Sequence, residues 1–325
     1  MDMLILNKNE LIDNIKSLFK DYEIVGPSQL DGKLYFRPVK SMDEVVWDFV
    51  NPVNNIKDFF FPPSQVLYEL RQDRIKAFEP DTKKKRIILF ARSCDTRALN
   101  LLDKLFIGDY KDTSYTARRE TTTIIGLSCL EPADRCFCIS LGGGPFATKG
   151  MDVSISPVRK DKFLLHILTD KGKDIIAEQG TRPEREELSL TEALKQKAEE
   201  AIKRKINIPS DFFEKFDSDY WKGVSQACIK CGICTYLCPA CHCFDIIDEG
   251  YFRIRCWDTC SSDTFTKMAA GEDHRKQKYK KYRQRIYHKF QYYKENFGEI
   301  ACVGCGRCTT YCPVKMDIVE IVNNS

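Results

Sequence analysis

The sequence predicts an α+β multidomain chain: an N-terminal α/β domain over 1–210, then a cysteine-rich domain over 211–325 with an insertion at 241–301. Three observations carry this reading. A strand–helix–strand pattern runs from Arg86 to Ser128. Beyond residue 227, four cysteines fall twice on the spacing C-x-x-C-x-x-C-x-x-x-C-P. Between these regions, a charged stretch and a turn at Pro209 mark a boundary near 210. At 325 residues the chain exceeds what one hydrophobic core usually serves.

In chain order, LNKNELIDNIKSLFK reads as an amphipathic helix with Leu11, Ile12, Ile15, Leu18 and Phe19 on one face. Asn7 and Glu10 form its candidate capping pair. Strand-like runs follow at Glu23–Val25 and Lys33–Pro38. FFFPPSQVLYEL then predicts a helix after Pro62 and Pro63, with Ser64 in its first turn. Arg86–Arg92 has the pattern of a buried strand, Asp95 is placed to cap a helix over Thr96–Phe106, and Thr121–Ser128 returns to strand. This is a βαβ unit of expected right hand with two parallel strands. Ser154–Thr169 reads as further strand, with His166 expected as a hydrogen-bonded sheet residue rather than a ligand. Ser189–Lys205 reads as a helix with a Ser189/Glu192 capping box, and Lys171–Glu187 as surface or linker.

The two cysteine runs are CIKCGICTYLCP, with Cys228, Cys231, Cys234 and Cys238, and CVGCGRCTTYCP, with Cys302, Cys305, Cys308 and Cys312. This is the bacterial ferredoxin signature for 4Fe–4S cubanes, in which the fourth cysteine of each run serves the other cluster. Three thiolates on one tight loop grip three corners, and the fourth leaves at a proline. Cys228, Cys231, Cys234 and Cys312 are therefore assigned to one cluster, and Cys302, Cys305, Cys308 and Cys238 to the other. The domain is a dicluster 4Fe–4S ferredoxin-like unit with a helical insertion. Zinc knuckles pair two C-x-x-C units and lack a third and fourth cysteine in register before proline.

Cys94, Cys129, Cys136 and Cys138 are far apart in sequence, but the βαβ reading gathers them at the carboxyl edge of one sheet, where open α/β folds bind ligands. A third iron–sulfur cluster is favoured there, with zinc or free thiols as alternatives. Cys241, Cys243, Cys256 and Cys260 form the looser pattern C-x-C…C-x-x-x-C. Of these, Cys241, Cys243 and Cys260 are retained as additional thiols, expected to pack around the neighbouring cubane or exchange with its ligands rather than to hold a fourth cluster. The C-x-x-x-C-x-x-C spelled by Cys234, Cys238 and Cys241 matches the radical S-adenosylmethionine spacing. Only 84 residues follow Cys241, too few for the barrel that chemistry needs.

Composition excludes several classes. The formal charge is +4, and residues 219–325 hold 16 Lys and Arg against 12 Asp and Glu, so the excess lies in the cysteine-rich part. No signal stretch follows Met1, no apolar run is long enough to span a bilayer, and the cysteines fall at ligand spacing. A reducing cytoplasm is expected. Leu141–Pro145 is glycine-rich without a phosphate-binding pattern, and no nucleophile–histidine pairing stands out. The basic, tyrosine-rich segment Arg275–Lys294 reads as an amphipathic helix bracing a cubane, or as a docking face for an acidic partner. Nucleic acid binding is the weaker reading.

With these residues in hand, the chain resembles the iron–sulfur beta subunits of cytoplasmic NAD(P)-linked nickel–iron hydrogenases of the sulfhydrogenase type, and the equivalent iron–sulfur subunits of anaerobic sulfite reductases. The resemblance is carried by FARSCDTRALNLLD, YTARRE, GLSCLEPADRCFC, CGICTYLCPACHCFDI, RCWDTC and CVGCGRCTTYCPV. The chain departs from the family at AAGEDHR (Ala269–Arg275) and at Cys256. The resemblance implies an electron carrier with no catalytic site of its own. It would relay single electrons between a flavoprotein NAD(P)H-oxidoreductase subunit, on one side, and a catalytic oxidoreductase subunit on the other. The alternatives are a zinc-dependent basic binding or assembly protein, and an autonomous iron–sulfur reductase with its substrate in the N-terminal cleft.

Overall fold

A computed structural model describes residues 2–71, 74–80, 82, 85–176 and 180–325. Its strands are β1 (Asp2–Asn7), β2 (Glu23–Leu30), β3 (Lys33–Pro38), β4 (Ser64–Arg71), β5 (Arg74–Ala77), β6 (Arg86–Ala91), β7 (Thr122–Leu127), β8 (Val153–Arg159), β9 (Lys162–Ile167), β10 (Phe244–Glu249) and β11 (Phe252–Trp257). The larger helices are α1 (Lys8–Leu18), α2 (Ser93–Phe106), α3 (Thr113–Glu120), α4 (Asp170–Ile175) and α5 (Arg185–Ala201). The C-terminal part adds α6 (Tyr220–Val224), α7 (Ile233–Tyr236), α8 (Lys278–Tyr287), α9 (Tyr293–Phe297), α10 (Arg307–Thr310) and α11 (Ile318–Asn323). Among the described residues, no helix is long and apolar enough to cross a membrane.

A seven-stranded mixed sheet in the order β1-β9-β8-β7-β6-β2-β3 forms the N-terminal core, with β2, β6, β7 and β8 parallel. Its strands alternate by face, as the two-residue period of a pleated strand requires. Ile87, Leu89 and Ile125 pack with Leu11, Ile15 and Leu18 of α1, whereas Ile88 and Ile124 pack with Leu99, Leu102 and Phe106 of α2. Truncating a fully buried residue such as Leu102 to alanine costs about 2–5 kcal/mol at such sites. α1 carries the Asn7/Glu10 capping box. The ladder between β6 and β7 slips between Leu89 and Ala91, where Phe90 adopts φ 61° and packs against Trp47. This bulge re-aims the chain just before Arg92 and Cys94.

Four local expectations are corrected. Residues 64–71 form β4, not a helix, because Ser64–Glu69 find an antiparallel partner in β11. α5 begins at Arg185, earlier than expected, and its capping box is Glu184 with Glu187 rather than Ser189 with Glu192. Asp95 caps nothing: Arg92 is the N-cap of α2, and Asp95 is buried against Arg307. His166 lies on β9, but its Nε2 has no hydrogen-bond partner. The stretch Lys171–Glu187 holds α4 and the start of α5, and its residues 177–179 lie outside the described residues.

Contacts cross the 210 boundary extensively. A second sheet, β10-β11-β4-β5, takes two strands from each side. The Arg307 guanidinium, almost fully buried, donates to both carboxylate oxygens of Asp95 at 2.7 and 3.2 Å and to the Pro52 carbonyl at 3.1 Å. α8 continues through a π-helical turn (His288–Tyr292) into α9. Its aromatics Tyr282, Tyr287 and Phe290 pack on Trp221, Phe212 and Val322. Lys281, Arg283, Arg285 and Lys289 on the same helix are buried, so this segment braces the cysteine loops and does not display those cations as a docking face.

Candidate metal centres

The two cysteine runs fold into matching loops. In each, a left-handed residue precedes the second cysteine and a left-handed glycine follows it: Lys230 and Gly232 in one, Gly304 and Gly306 in the other. A short helix then carries the third cysteine, α7 for Cys234 and α10 for Cys308. The Lys-for-Gly difference has a steric reason. A Cβ on Gly304 would lie 2.6 Å from the Cys138 backbone, and one on Gly306 2.6 Å from the Arg135 carbonyl oxygen. Lys230 instead faces outward and pairs with Asp263 at 2.5 Å.

The thiols gather in cages. Cys228, Cys231, Cys234 and Cys312 line one cavity, whose wall also includes Cys308, Tyr282, Arg285 and Met316. The Met316 amide donates to Cys312 Sγ at 3.2 Å. Cys238, Cys302 and Cys305 lie close enough to act on Cys308, and these four thiols are the second cage. Burial pushes Cys308 up to about 12, Arg285 opposes that rise, and the negative fields of Cys302, Cys305 and Cys238 add to it. The fourth cysteine of each run thus lies near thiols of the other run.

Cys94, Cys129, Cys136 and Cys138 line a third cavity at the carboxyl ends of β6 and β7, and Cys305 of the second cage forms part of its wall. Asn51 bridges the two cages, donating to the Cys305 carbonyl at 3.2 Å and to Cys136 Sγ at 3.9 Å. The Phe137 amide donates to the Gly304 carbonyl at 2.9 Å. Burial, reinforced by Asp95, holds the Cys94 thiol well above its ordinary range. Burial likewise pushes Cys136 up to about 12 and Cys138 to about 11. Without metal these thiols hold their protons, and binding an electropositive core would release them.

Cys241, Cys243 and Cys260 line a fourth cavity together with His242, His288, Arg285 and Lys289. Cys256 stands apart on β11, its thiol 3.9 Å from the Asp245 carbonyl. Among the described residues, no three His, Cys, Asp or Glu side chains converge at the spacing of a single metal ion. The thiols ring cavities instead.

Sequence reasoning missed the cations. Arg92, Lys57, Arg285 and Lys289 are buried, and among the described residues none has a carboxylate at ion-pair distance. Arg285 donates to the Cys234 carbonyl at 2.7 Å and to Cys241 Sγ at 3.7 Å. Lys289 donates to Cys238 Sγ at 3.3 Å and to the Ala301 carbonyl at 3.0 Å. Lys57 donates to the Cys238 and Cys241 carbonyls, both at 3.2 Å, with its ammonium 3.7 Å from the centre of the Trp257 ring. Arg92 donates to the Leu127 and Ser128 carbonyls beside Cys129 and Cys94. A buried cation without a counter-charge is costly. Thiolate-ligated iron–sulfur cores are net anionic and would supply that charge, so the donor set fits clusters. The signal in the sequence was the i, i+4 spacing of Arg285 and Lys289, which their polar neighbours masked.

Comparison with known proteins bears on the cysteine runs and on the chain as a whole. Residues 227–316 match the family described as a 4Fe–4S dicluster domain. The chain is 29% identical over 326 residues to sulfhydrogenase 2 subunit beta of Pyrococcus furiosus, covering 97% of this chain and 94% of the relative. No solved structure matches.

Proposed function

We infer that this chain, which resembles a sulfhydrogenase beta subunit over nearly its whole length, is the iron–sulfur subunit of a hydrogenase-type complex and relays single electrons. The observation that carries the reading is the run of cages. The crossed cysteine runs make two, and the third shares the Cys305 wall with the second. When bound, 4Fe–4S clusters supply one-electron carriers. The first would rest on Cys228, Cys231, Cys234 and Cys312, the second on Cys238, Cys302, Cys305 and Cys308, and the third on Cys94, Cys129, Cys136 and Cys138.

The rest of the chain serves these cages. Gly304 and Gly306 let two loops approach closely enough to set the second and third cages side by side. Phe137 and Tyr282 pack in one apolar cluster with Cys302, and Tyr293 in another with Cys238 and Cys241. Arg92, Arg285 and Lys289 offset the negative charge that the cages would hold. Hydride and flavin chemistry belong to a flavoprotein NAD(P)H-oxidoreductase partner, and the terminal reaction to a catalytic subunit.

An anaerobic preparation should contain iron and sulfide and show broad visible absorption that dithionite bleaches. Alone, it should not oxidise NADH or NADPH, and it should gain that activity when a flavoprotein partner is added. A preparation holding only zinc refutes the iron–sulfur assignment and favours the zinc-dependent binding protein. Stoichiometric NADPH oxidation by the flavin-free chain refutes the relay.

One feature favours a second reading, the autonomous reductase. A cavity of about 490 Å³ opens beside the third cage, with Trp47, Phe49, Phe163 and Leu127 in its wall, and Lys8, Arg159 and Lys160 also line it. Arg92 lines both cavities. Turnover of a small acceptor by the isolated chain with a reduced dye would establish that reading.

A further inference from the structure

The insertion between the cysteine runs folds back so that its own thiols meet. Cys243 directly precedes β10 and Cys260 lies just beyond β11, so the β10–β11 hairpin closes one onto the other. The Asp258 amide donates to the Cys243 carbonyl at 3.1 Å. Cys241, Cys243 and Cys260 line one cavity, and the Cys241 amide donates to the Cys238 carbonyl at 3.3 Å. Ala240, Cys241, His242, Cys243 and Cys260 face Arg285 and Lys289 across one buried space.

Three uncharged packing thiols do not account for this arrangement. Arg285 and Lys289 lie four residues apart on one helix face, both are buried, and neither has a carboxylate at ion-pair distance among the described residues. The second cage lies on the Cys238 side of Lys289 and the first on the Cys234 side of Arg285, whose guanidinium also reaches Cys241 Sγ inside this space. His242 has Nδ1 3.2 Å from the Ala240 carbonyl. Read as a donated N–H, that contact leaves Nε2 as a lone-pair donor, the arrangement second-shell carbonyls impose on ligating imidazoles. His288 lies beside it, ring centroids 5.3 Å apart.

We propose that Cys241, Cys243 and Cys260 hold a further iron–sulfur centre, distinct from the two of the cysteine runs and from the third cage, with its fourth position facing the imidazoles of His242 and His288. The ligand class is a polynuclear thiolate-bound iron–sulfur core rather than zinc, because no three of these donors converge on a single point. The centre lies between the first and second cages, since Arg285 contacts Cys234 of one and Lys289 contacts Cys238 of the other. This assignment does not depend on the third cage binding iron.

Native mass spectrometry of the anaerobic full-length chain under reducing conditions counts clusters directly. Cys243→Ala/Cys260→Ala should lose one cluster, about four irons, and Cys136→Ala should lose a different one. Failure of this proposal and failure of the third-cage assignment are thereby told apart. Cys256→Ala should lose none. An unchanged cluster count in Cys243→Ala/Cys260→Ala overturns the proposal. So does a Cys243–Cys260 disulfide in the iron-loaded protein. If the double variant does not fold, the wild-type chain decides. A count one above the sum of the two cysteine-run clusters and any cluster lost in Cys136→Ala supports the fourth centre, and a count equal to that sum overturns it.

Discussion

Replacing Lys289 with methionine keeps the length of the side chain and removes one buried charge. Its Nζ lies 3.3 Å from Cys238 Sγ. Burial works against the ammonium, yet the Cys238 and Cys241 thiolates more than offset it and hold Lys289 above its ordinary value. Lysine is therefore a cation throughout the working pH range. An electron added to the second cage spreads over a core centred a few ångströms beyond the sulfur. A separation of about 6 Å and an effective dielectric of about 20 give about 3 kcal/mol, or about 120 mV for a one-electron couple. Because the cation stabilises the more negative, reduced state, its loss must lower the potential. Relaxation and the remaining Arg285 charge reduce the effect, so the expected shift in Lys289→Met is about 50–120 mV more negative for the cluster on Cys238. Redox titration followed by electron paramagnetic resonance reads it, and Lys289→Arg should restore most of the wild-type value. A positive shift, or one under about 20 mV, would refute the argument that this cation balances cluster charge.

Further outcomes follow from the same contacts. Asp95→Ala leaves Arg307 buried without its partner and should cost about 3–5 kcal/mol in denaturant unfolding, with Asp95→Ala/Arg307→Met recovering part of the loss. Cys312→Ala should perturb the resonance of the cluster held by Cys228, Cys231 and Cys234, and Cys238→Ala that of the cluster on the other run; the reverse pattern would refute crossed ligation. Gly304→Ala drives a Cβ into the Cys138 backbone and should destabilise the fold by more than about 2 kcal/mol. Lys230→Gly, at the corresponding position, relieves a left-handed lysine and should be neutral or stabilising by up to about 1 kcal/mol once its surface pair with Asp263 is counted.

Much of this was legible in the sequence because it is written locally. The Asn7/Glu10 box, the strands flanking α2 and the spacing of eight cysteines each depend on neighbours within about a dozen residues. The gathering of Cys94, Cys129, Cys136 and Cys138 followed from topology, since parallel neighbours end on the same edge. What escaped is non-local. Residues 64–71 carry helix-compatible residues after two prolines, and pairing with the distant Phe252–Cys256, besides the short β5, makes them a strand. Asp95 resembles a cap until Arg307, more than two hundred positions away, claims it. The cations of α8 look like a solvated face because charge patterning alone does not reveal which side of a basic helix meets sulfur.

The second sheet also sets a timetable for biogenesis. β4 waits for β11, a partner about 190 residues downstream, as Ser64 and Cys256 show. At the ribosome's ~5–20 residues per second, that wait is ~10–40 s. During it the N-terminal sheet can form on contacts it already owns, while β4 and β5 keep an unpaired edge exposed. The loop that walls the third cage, with Gly304 and Cys305, arrives late, and Cys308 and Cys312 of the second and first cages follow it. Clusters bound in those cages would then be delivered against a preassembled N-terminal platform. A nascent chain stalled before residue 252 would present a sticky strand edge and an unfinished thiol cavity to the cell's chaperones and iron–sulfur carriers at the same moment.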